Sequence, residues 1–172
     1  MDIPATKAVR IEELAFDGFL IDMDGTLIDT TAAITRHWAD MDVLKIVAPE
    51  FATWDSLVLA WHKILRLPLP EPELLITAES VQNGKPDPAC YNLGREILRL
   101  NNKAPDILVV EDSPAGIRAG KAANCWVVGL LTSHSKEQIA AAGPDWIIQD
   151  LTSVKVLKKH EGKVIIELHS RA

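Results

Sequence analysis

Short apolar runs alternate along this chain with segments of helical period, and this alternation constrains the fold more than any other feature. The runs are short enough for buried strands and end at turn-forming residues: residues 16–22, 74–77, 107–110, 126–131 and 146–148. Apolar residues at helical spacing occupy residues 88–100, 114–123 and 136–142. Strands that alternate with helices require crossover connections, so the sequence predicts an α/β fold with a mainly parallel sheet flanked by helices.

The middle of the chain and its last stretch have less regular patterns. Residues 30–40 and 57–67 are predicted helices, whereas residues 43–47 fit either a strand or a helical turn. Residues 163–169 follow a turn-forming Glu-Gly pair and are predicted to form a β-hairpin with residues 153–157. We expect this hairpin to be a peripheral addition to the sheet.

Composition and charge limit the class of protein. A length of 172 residues with 48% hydrophobic residues indicates one globular domain over residues 1–172. Cys90 and Cys125 form no CxxC pair and lie among apolar or small residues, which favours free thiols in a reducing compartment. The net charge of −6 argues against a broad nucleic-acid or anionic-membrane surface. Without a signal-peptide or membrane-spanning pattern, the sequence predicts a cytoplasmic protein with no nucleic-acid or membrane partner.

Pairs of acidic residues follow two of the predicted strands. Asp22 and Asp24 end the first run, and Glu111 and Asp112 end the run at residues 107–110. The carboxyl ends of parallel strands lie at one edge of a sheet, where ligands bind in such folds. If the two strands are neighbours, the carboxylates converge and need a cation to remain ionised together. Oxygen-only ligands favour Mg²⁺ over zinc, so this pattern predicts a magnesium site.

The residues around these acids predict an anion site beside the metal. Gly25 allows a sharp turn, and Thr26 offers a hydroxyl and a backbone N–H to an incoming anion. Simpler interpretations stay open, because acidic residues after strands often cap helices. Glu111 could support the site without touching the metal, and Ser113 could only cap the helix that begins at Pro114.

Three motifs stand in a fixed order along the chain: DMDGTL at residues 22–27, GKPDP at residues 84–88 and VVEDSPAGIRAG at residues 109–120. Together they resemble the haloacid dehalogenase-like phosphohydrolase superfamily. The stretches ITAESVQNGKPDPACY and EDSPAGIRAGKAANC are similar, more narrowly, to fungal phosphatases of glycerol phosphate and 2-deoxyglucose 6-phosphate. The resemblance implies a Rossmann-like fold and a phosphatase that acts on a small phosphorylated metabolite.

The resemblance also implies a role for each matching residue. Asp22 would be the nucleophile that forms an aspartyl phosphate, and Asp24 would be the general acid and then the general base. Lys85 would neutralise phosphate oxygens and restrain Asp22. Asp22, the main-chain oxygen of Asp24, Glu111 and Asp112 would hold Mg²⁺.

This sequence departs from the family pattern between the first and second of these motifs. Relatives have a helical cap there, followed by a strand that ends in a phosphate-binding Thr or Ser. Here residues 30–73 have room only for a shortened cap remnant. The strand that ends in Thr or Ser, which is the second motif of the family and is not among the three quoted above, is missing. Thr53 is the substrate-binding candidate if residues 43–47 take the vacant strand position, and Ser56 is the other hydroxyl nearby.

A missing strand would leave a sheet edge exposed, and an exposed edge allows self-association. The alternative function is therefore a catalytically impaired, shortened relative that binds phosphate or Mg²⁺, or that acts as an interaction protein.

Overall fold

The structure, a computed structural model, describes residues 9–23, 25–26, 74–100 and 106–171. In chain order its strands are β1 (Val9–Phe16), β2 (Gly18–Ile21), β3 (Ile107–Glu111), β4 (Trp126–Leu130), β5 (Trp146–Ile148), β6 (Val154–His160) and β7 (Lys163–Arg171). Its α-helices are α1 (Ala89–Ile97), α2 (Pro114–Ala122) and α3 (Lys136–Ala141). The predictions for residues 30–40, 43–47 and 57–67, including the cap remnant, lie outside the described residues.

A parallel sheet forms the centre of the fold, with strand order β2-β3-β4-β5. The strand β3 is buried along its whole length, which explains its nearly continuous apolar sequence. Ile107 and Val109 belong to the core shared with the helices, whereas Leu108 and Val110 belong to a second core. Successive side chains of one strand therefore fill two different layers.

The helices begin where the sequence supplies caps. Ser113 accepts a hydrogen bond from the backbone N–H of Gly116 at 3.0 Å, and Pro114 occupies the first turn of α2. Ser135 and Gln138 form a capping box at the start of α3. The helix-stop pattern after α3 includes Gly143, which adopts a φ of 77°.

The second core lies between the parallel sheet and an antiparallel sheet of order β1-β7-β6. The hairpin of β6 and β7 confirms the predicted pairing and extends it to Arg171. Its expected peripheral position is wrong, because Ile166 and Leu168 are fully buried against the parallel sheet. The α/β fold with a mainly parallel sheet and a C-terminal β-hairpin is thus confirmed, with β1 as a strand that the sequence patterns did not predict.

The first predicted strand, residues 16–22, is in fact divided between the two sheets. Phe16 ends β1, and Asp17 donates its backbone N–H to the carbonyl of Asp106 at 2.6 Å where the chain turns. Gly18 then begins β2, and Asp22 lies just beyond the end of β2. The break arises because Phe16 pairs with Val164 of β7 while Gly18 pairs with Ile107 of β3.

The predicted strand at residues 74–77 is also wrong. Residues 75–77 have no regular secondary structure, and a 3₁₀ turn follows at Ala78–Ser80. Within the described ranges, β2 is the last strand of its sheet and pairs only with β3, so residues 74–77 have no strand partner there. The side chains of residues 74–77, three of them apolar, instead line a cavity beside β2. None of the described helices has the length and apolarity needed to cross a membrane.

Candidate active site

The parallel pairing of β2 with β3 brings the predicted acidic residues together. Ile21 lies opposite Val110, and the backbone N–H of Asp22 continues the ladder by donating to the carbonyl of Val110 at 3.0 Å. Asp22 therefore ends level with Glu111 and Asp112. One carboxylate oxygen from each of these three residues lies within 4.8 Å of the other two. Asp24 and Thr53 lie outside the described residues.

Lys85 reaches this cluster from the loop before α1. Its Nζ lies 2.5 Å from Asp22 Oδ1 and 2.5 Å from Glu111 Oε1. Burial alone would lower the pKa of Lys85, but the charges of Asp22 and Glu111 more than offset that effect and raise it. The ammonium group is therefore charged at neutral pH and joins the two strand ends.

Glu111 is fully buried, and donors occupy both of its oxygens. Its Oε1 accepts from Lys85 and from the hydroxyl of Tyr91, each at 2.5 Å. Its Oε2 accepts from the backbone N–H and the hydroxyl of Ser113 at 3.2 and 3.0 Å. Ser113 thus caps α2 and holds Glu111 at the same time. This arrangement gives Glu111 a supporting role around Lys85 in addition to its place in the acidic cluster.

The electrostatics of the cluster favour a bound cation. Burial, followed by the charges of Glu111 and Asp112, raises the pKa of Asp22 to about 7 despite the opposing effect of Lys85. Burial and Glu111 also raise the pKa of Asp112, although the Ser133 hydroxyl and His134 counteract part of this shift. One lysine therefore does not neutralise the three acids. A set of carboxylate oxygens at this spacing fits Mg²⁺ by the chemistry of its donors.

The turn at Gly25 and Thr26 packs directly against Asp112. Gly25 has a φ of 78°, and a Cβ placed there would lie 2.1 Å from Asp112 Oδ2. Glycine is therefore required both by the backbone conformation and by the space. The Thr26 hydroxyl donates to Asp112 Oδ1 at 3.3 Å, so in this structure it faces the acidic cluster.

The loop after β4 completes the described surroundings of the site, and sequence reasoning missed it. Thr132 donates its hydroxyl to the carbonyl of Gly25 at 2.5 Å, and His134 Nδ1 lies 3.1 Å from the carbonyl oxygen of Asp112. This loop follows the carboxyl end of β4, a parallel strand next to β3, and that position was the signal that could have predicted its place at the site. Tyr91 was also missed, and its helical spacing gave no sign that its hydroxyl reaches Glu111.

A cavity of about 710 Å³ opens beside β2, with Asp22 and Lys85 in its wall. The rest of the described wall is mostly apolar and comes from three segments: β2, residues 74–81 and α1. The volume lies in the range of small-molecule pockets. Asp22 and Lys85 therefore lie where the acidic cluster meets this mostly apolar cavity.

Comparisons with known proteins identify the family of the chain. The sequence model of the haloacid dehalogenase-like hydrolase family matches residues 49–124. Hexitol phosphatase A of Escherichia coli is 39% identical over 219 aligned residues, which cover 87% of this chain and 98% of that enzyme. The chain belongs to the haloacid dehalogenase-like hydrolase family. An alignment longer than the chain itself requires gaps in it, so hexitol phosphatase A contains segments that this chain lacks.

A second curated relative and a solved structure also resemble this chain. The 2-deoxyglucose-6-phosphate phosphatase 2 of Saccharomyces cerevisiae is 36% identical over 119 residues, covering 66% of this chain and 48% of that enzyme. The chain thus spans about half the length of this relative. A solved structure from Bacteroides vulgatus, provisionally named a β-phosphoglucomutase, matches with a TM-score of 0.56 and 16% identity, covering 79% of this chain and 84% of that chain. That likeness supports the fold, and the predicted resemblance to sugar-phosphate phosphatases is confirmed.

Proposed function

We propose that this protein is a Mg²⁺-dependent phosphatase that hydrolyses small sugar or polyol phosphate monoesters. The observation that carries the proposal is the position of Lys85, 2.5 Å from both Asp22 and Glu111 at the edge of a three-carboxylate cluster. The relatives named for hexitol and 2-deoxyglucose-6-phosphate phosphatase activity support the substrate class. The proposal includes one domain over residues 1–172, in which residues 30–73 form the shortened cap remnant.

The proposed reaction has two chemical steps. In the first, a carboxylate oxygen of Asp22 forms a bond to phosphorus while the ester P–O bond breaks, and Asp24 gives its proton to the leaving oxygen. In the second, Asp24 takes a proton from water, which attacks the phosphorus and releases inorganic phosphate and the Asp22 carboxylate. The role of Asp24 rests on the family motif. Gly25, Thr26 and Thr53 are the proposed phosphate contacts.

The described residues would support these steps in three ways. Lys85 holds the Asp22 carboxylate and supplies a positive charge next to the phosphoryl oxygens. When bound by Asp22, Asp24, Glu111 and Asp112, Mg²⁺ would offset the charge that these oxygens carry. Glu111 is fully buried, so its attraction for the Lys85 ammonium group is screened less by water than at the surface and helps to keep that charge in place.

The first experiment measures phosphate release from p-nitrophenyl phosphate and from hexitol phosphates, with Mg²⁺ and with EDTA. We expect turnover with Mg²⁺ only, and a loss of roughly 1000-fold or more in the Asp22→Asn variant because the nucleophile is removed. Glu96→Gln, an exposed carboxylate on α1, is the matched control and keeps wild-type turnover. Equal rates in Asp22→Asn and the wild type would rule out the proposed nucleophile.

A second function is favoured by the open edge of β2. No described strand pairs with β2 opposite β3, and hexitol phosphatase A contains segments missing from this chain. A protein of this kind could bind Mg²⁺ and phosphate without turnover, or associate through that edge. Calorimetric binding of Mg²⁺ and orthophosphate without phosphate release from any monoester, together with the mass in solution, distinguishes this function from the phosphatase.

A further inference from the structure

We propose that Tyr91 is a positioning residue that keeps Lys85 directed at Asp22, because its hydroxyl binds the same Glu111 oxygen that accepts from Lys85. The inference rests on the proposed function, because it concerns the same lysine. Tyr91 lies on α1 and is only 6% exposed. It is the single tyrosine of the chain.

The Tyr91 side chain makes two separate contacts with the site. Its hydroxyl donates to Glu111 Oε1 at 2.5 Å, which is the same oxygen that accepts from Lys85. The face of its ring lies under the lysine, with Lys85 Nζ 5.5 Å from the ring centroid. One rigid side chain therefore contacts both members of the Lys85–Glu111 pair.

Glu111 Oε1 shares its negative charge between two donors, the Tyr91 hydroxyl and the Lys85 ammonium group. This sharing weakens the hold of Glu111 on the lysine.

Removal of the hydroxyl would change the balance between the two carboxylates that contact Lys85. The ammonium nitrogen lies equally close to Asp22 and Glu111. Without the Tyr91 donor, the whole charge of Glu111 Oε1 would attract Lys85, which would move away from Asp22. A positive charge that stabilises the transition state would then be misplaced, and the loss would appear in kcat more than in KM.

The kinetic test compares Tyr91→Phe with Thr152→Val. Thr152 also donates its hydroxyl to a carboxylate, that of Asp150, but it lies on an exposed turn after β5. We expect Tyr91→Phe to lower kcat about tenfold with KM changed less than twofold, and Thr152→Val to leave both unchanged. A Tyr91→Phe variant with wild-type kcat, or with the loss confined to KM, would overturn the proposal.

A second test needs no substitution of Tyr91 and no catalytic activity. Because the chain has one tyrosine, 3-fluorotyrosine labels this position alone and gives a single ¹⁹F resonance. We expect Lys85→Met and Glu111→Gln each to shift that resonance, and Thr152→Val to leave it in place. Identical resonances in all four proteins would disprove the contact. If the wild type shows no turnover, the phosphatase proposal fails, while this spectrum still decides whether Tyr91 senses the pair.

Discussion

Asp22 is the residue on which the chemistry of this site depends, and its environment opposes its charge. Its carboxylate is largely buried beside Glu111 and Asp112, and Lys85, the only cation of the described residues that pairs with it, is shared with Glu111. The result is a carboxyl group with a pKa of about 7, compared with 3.8 for an isolated aspartate. The protein therefore maintains a destabilising charge at the point where a nucleophile is proposed.

This pKa predicts a dependence of stability on pH in protein freed of divalent cations. Between pH 3.8 and about 7 the native Asp22 keeps its proton while the unfolded chain loses it. The free energy of unfolding therefore falls as the pH rises through this window. Above the window, the native protein carries the full cost of an ionised Asp22. Asp22→Asn has no such cost. We expect its advantage in the free energy of unfolding to grow by about 2 kcal/mol from about pH 5 to pH 8.

Urea unfolding in EDTA at the two pH values measures this difference. Glu96→Gln serves as the control, because Glu96 is exposed on α1. A constant difference between Asp22→Asn and the wild type would contradict the raised pKa.

Among the elements, α2 is the one most closely fitted to the site. Its cap, Ser113, holds Glu111, and its first turn approaches the same carboxylate from above. A Cβ added at Gly116 would lie 1.8 Å from Glu111 Oε1. The buried Glu111 side chain has no solvent to move into, so this glycine is required by the close approach of the helix.

Gly116→Ala is expected to destabilise the protein by about 2 kcal/mol through overpacking, and to lower turnover by displacing Glu111 from Lys85. The direction of this change in stability is informative, because alanine is otherwise about 1 kcal/mol more favourable than glycine inside a helix. Gly84→Ala is the control for stability, since no described atom lies within 4 Å of a Cβ built there. Thermal unfolding of the two variants tests the prediction, and a more stable Gly116→Ala protein would refute it.

The elements that sequence predicts well are those whose signals are local. The buried strand β3 was predicted at residues 107–110 from its continuous apolar run, and α2 at residues 114–123 from its cap and proline. The strand β1 was not predicted, because its pattern is misleading. Val9 and Ile11 are more than half exposed, whereas Glu12 points toward Trp146 and accepts its indole N–H at 2.8 Å.

The residues of the candidate site also divide into those that local sequence signals predict and those that they do not. Asp22, Lys85, Glu111 and Asp112 follow from motifs and from the strand-end rule, and the structure places them together. The contact of Tyr91 with Glu111 depends on how α1 lies against β3, which no local pattern encodes. The role of each residue in catalysis stays a prediction, as does the cytoplasmic location.

For the whole molecule, the main feature is that an antiparallel sheet covers one face of the parallel sheet. Ile166 and Leu168 of β7 close the core that contains Leu108, Val110 and Val128. The burial that this layer provides could not be predicted from the pattern of any single strand, because β1 and β7 come from opposite ends of the described residues and pair only in the folded protein. The stability of the site therefore depends on residues far from it.

Ile166→Ala is expected to lower the free energy of unfolding by about 2–4 kcal/mol, because it leaves a cavity in a fully buried layer. Val156→Ala on β6 is the matched control: its side chain is 68% exposed and its loss should cost less than about 0.5 kcal/mol. Urea denaturation measures both. Equal effects of the two substitutions would show that β7 is not part of the core.

The pairing of β1 with β7 has a consequence for synthesis of the protein. Phe16 lies opposite Val164 and Val9 opposite Arg171, so β1 can pair with β7 only after β7 has been synthesised. A ribosome that is still making α3 holds a nascent chain whose Leu108 and Val110 have no covering layer. Such distant pairing slows folding, and chaperones that bind apolar segments have a defined interval in which to act on this chain.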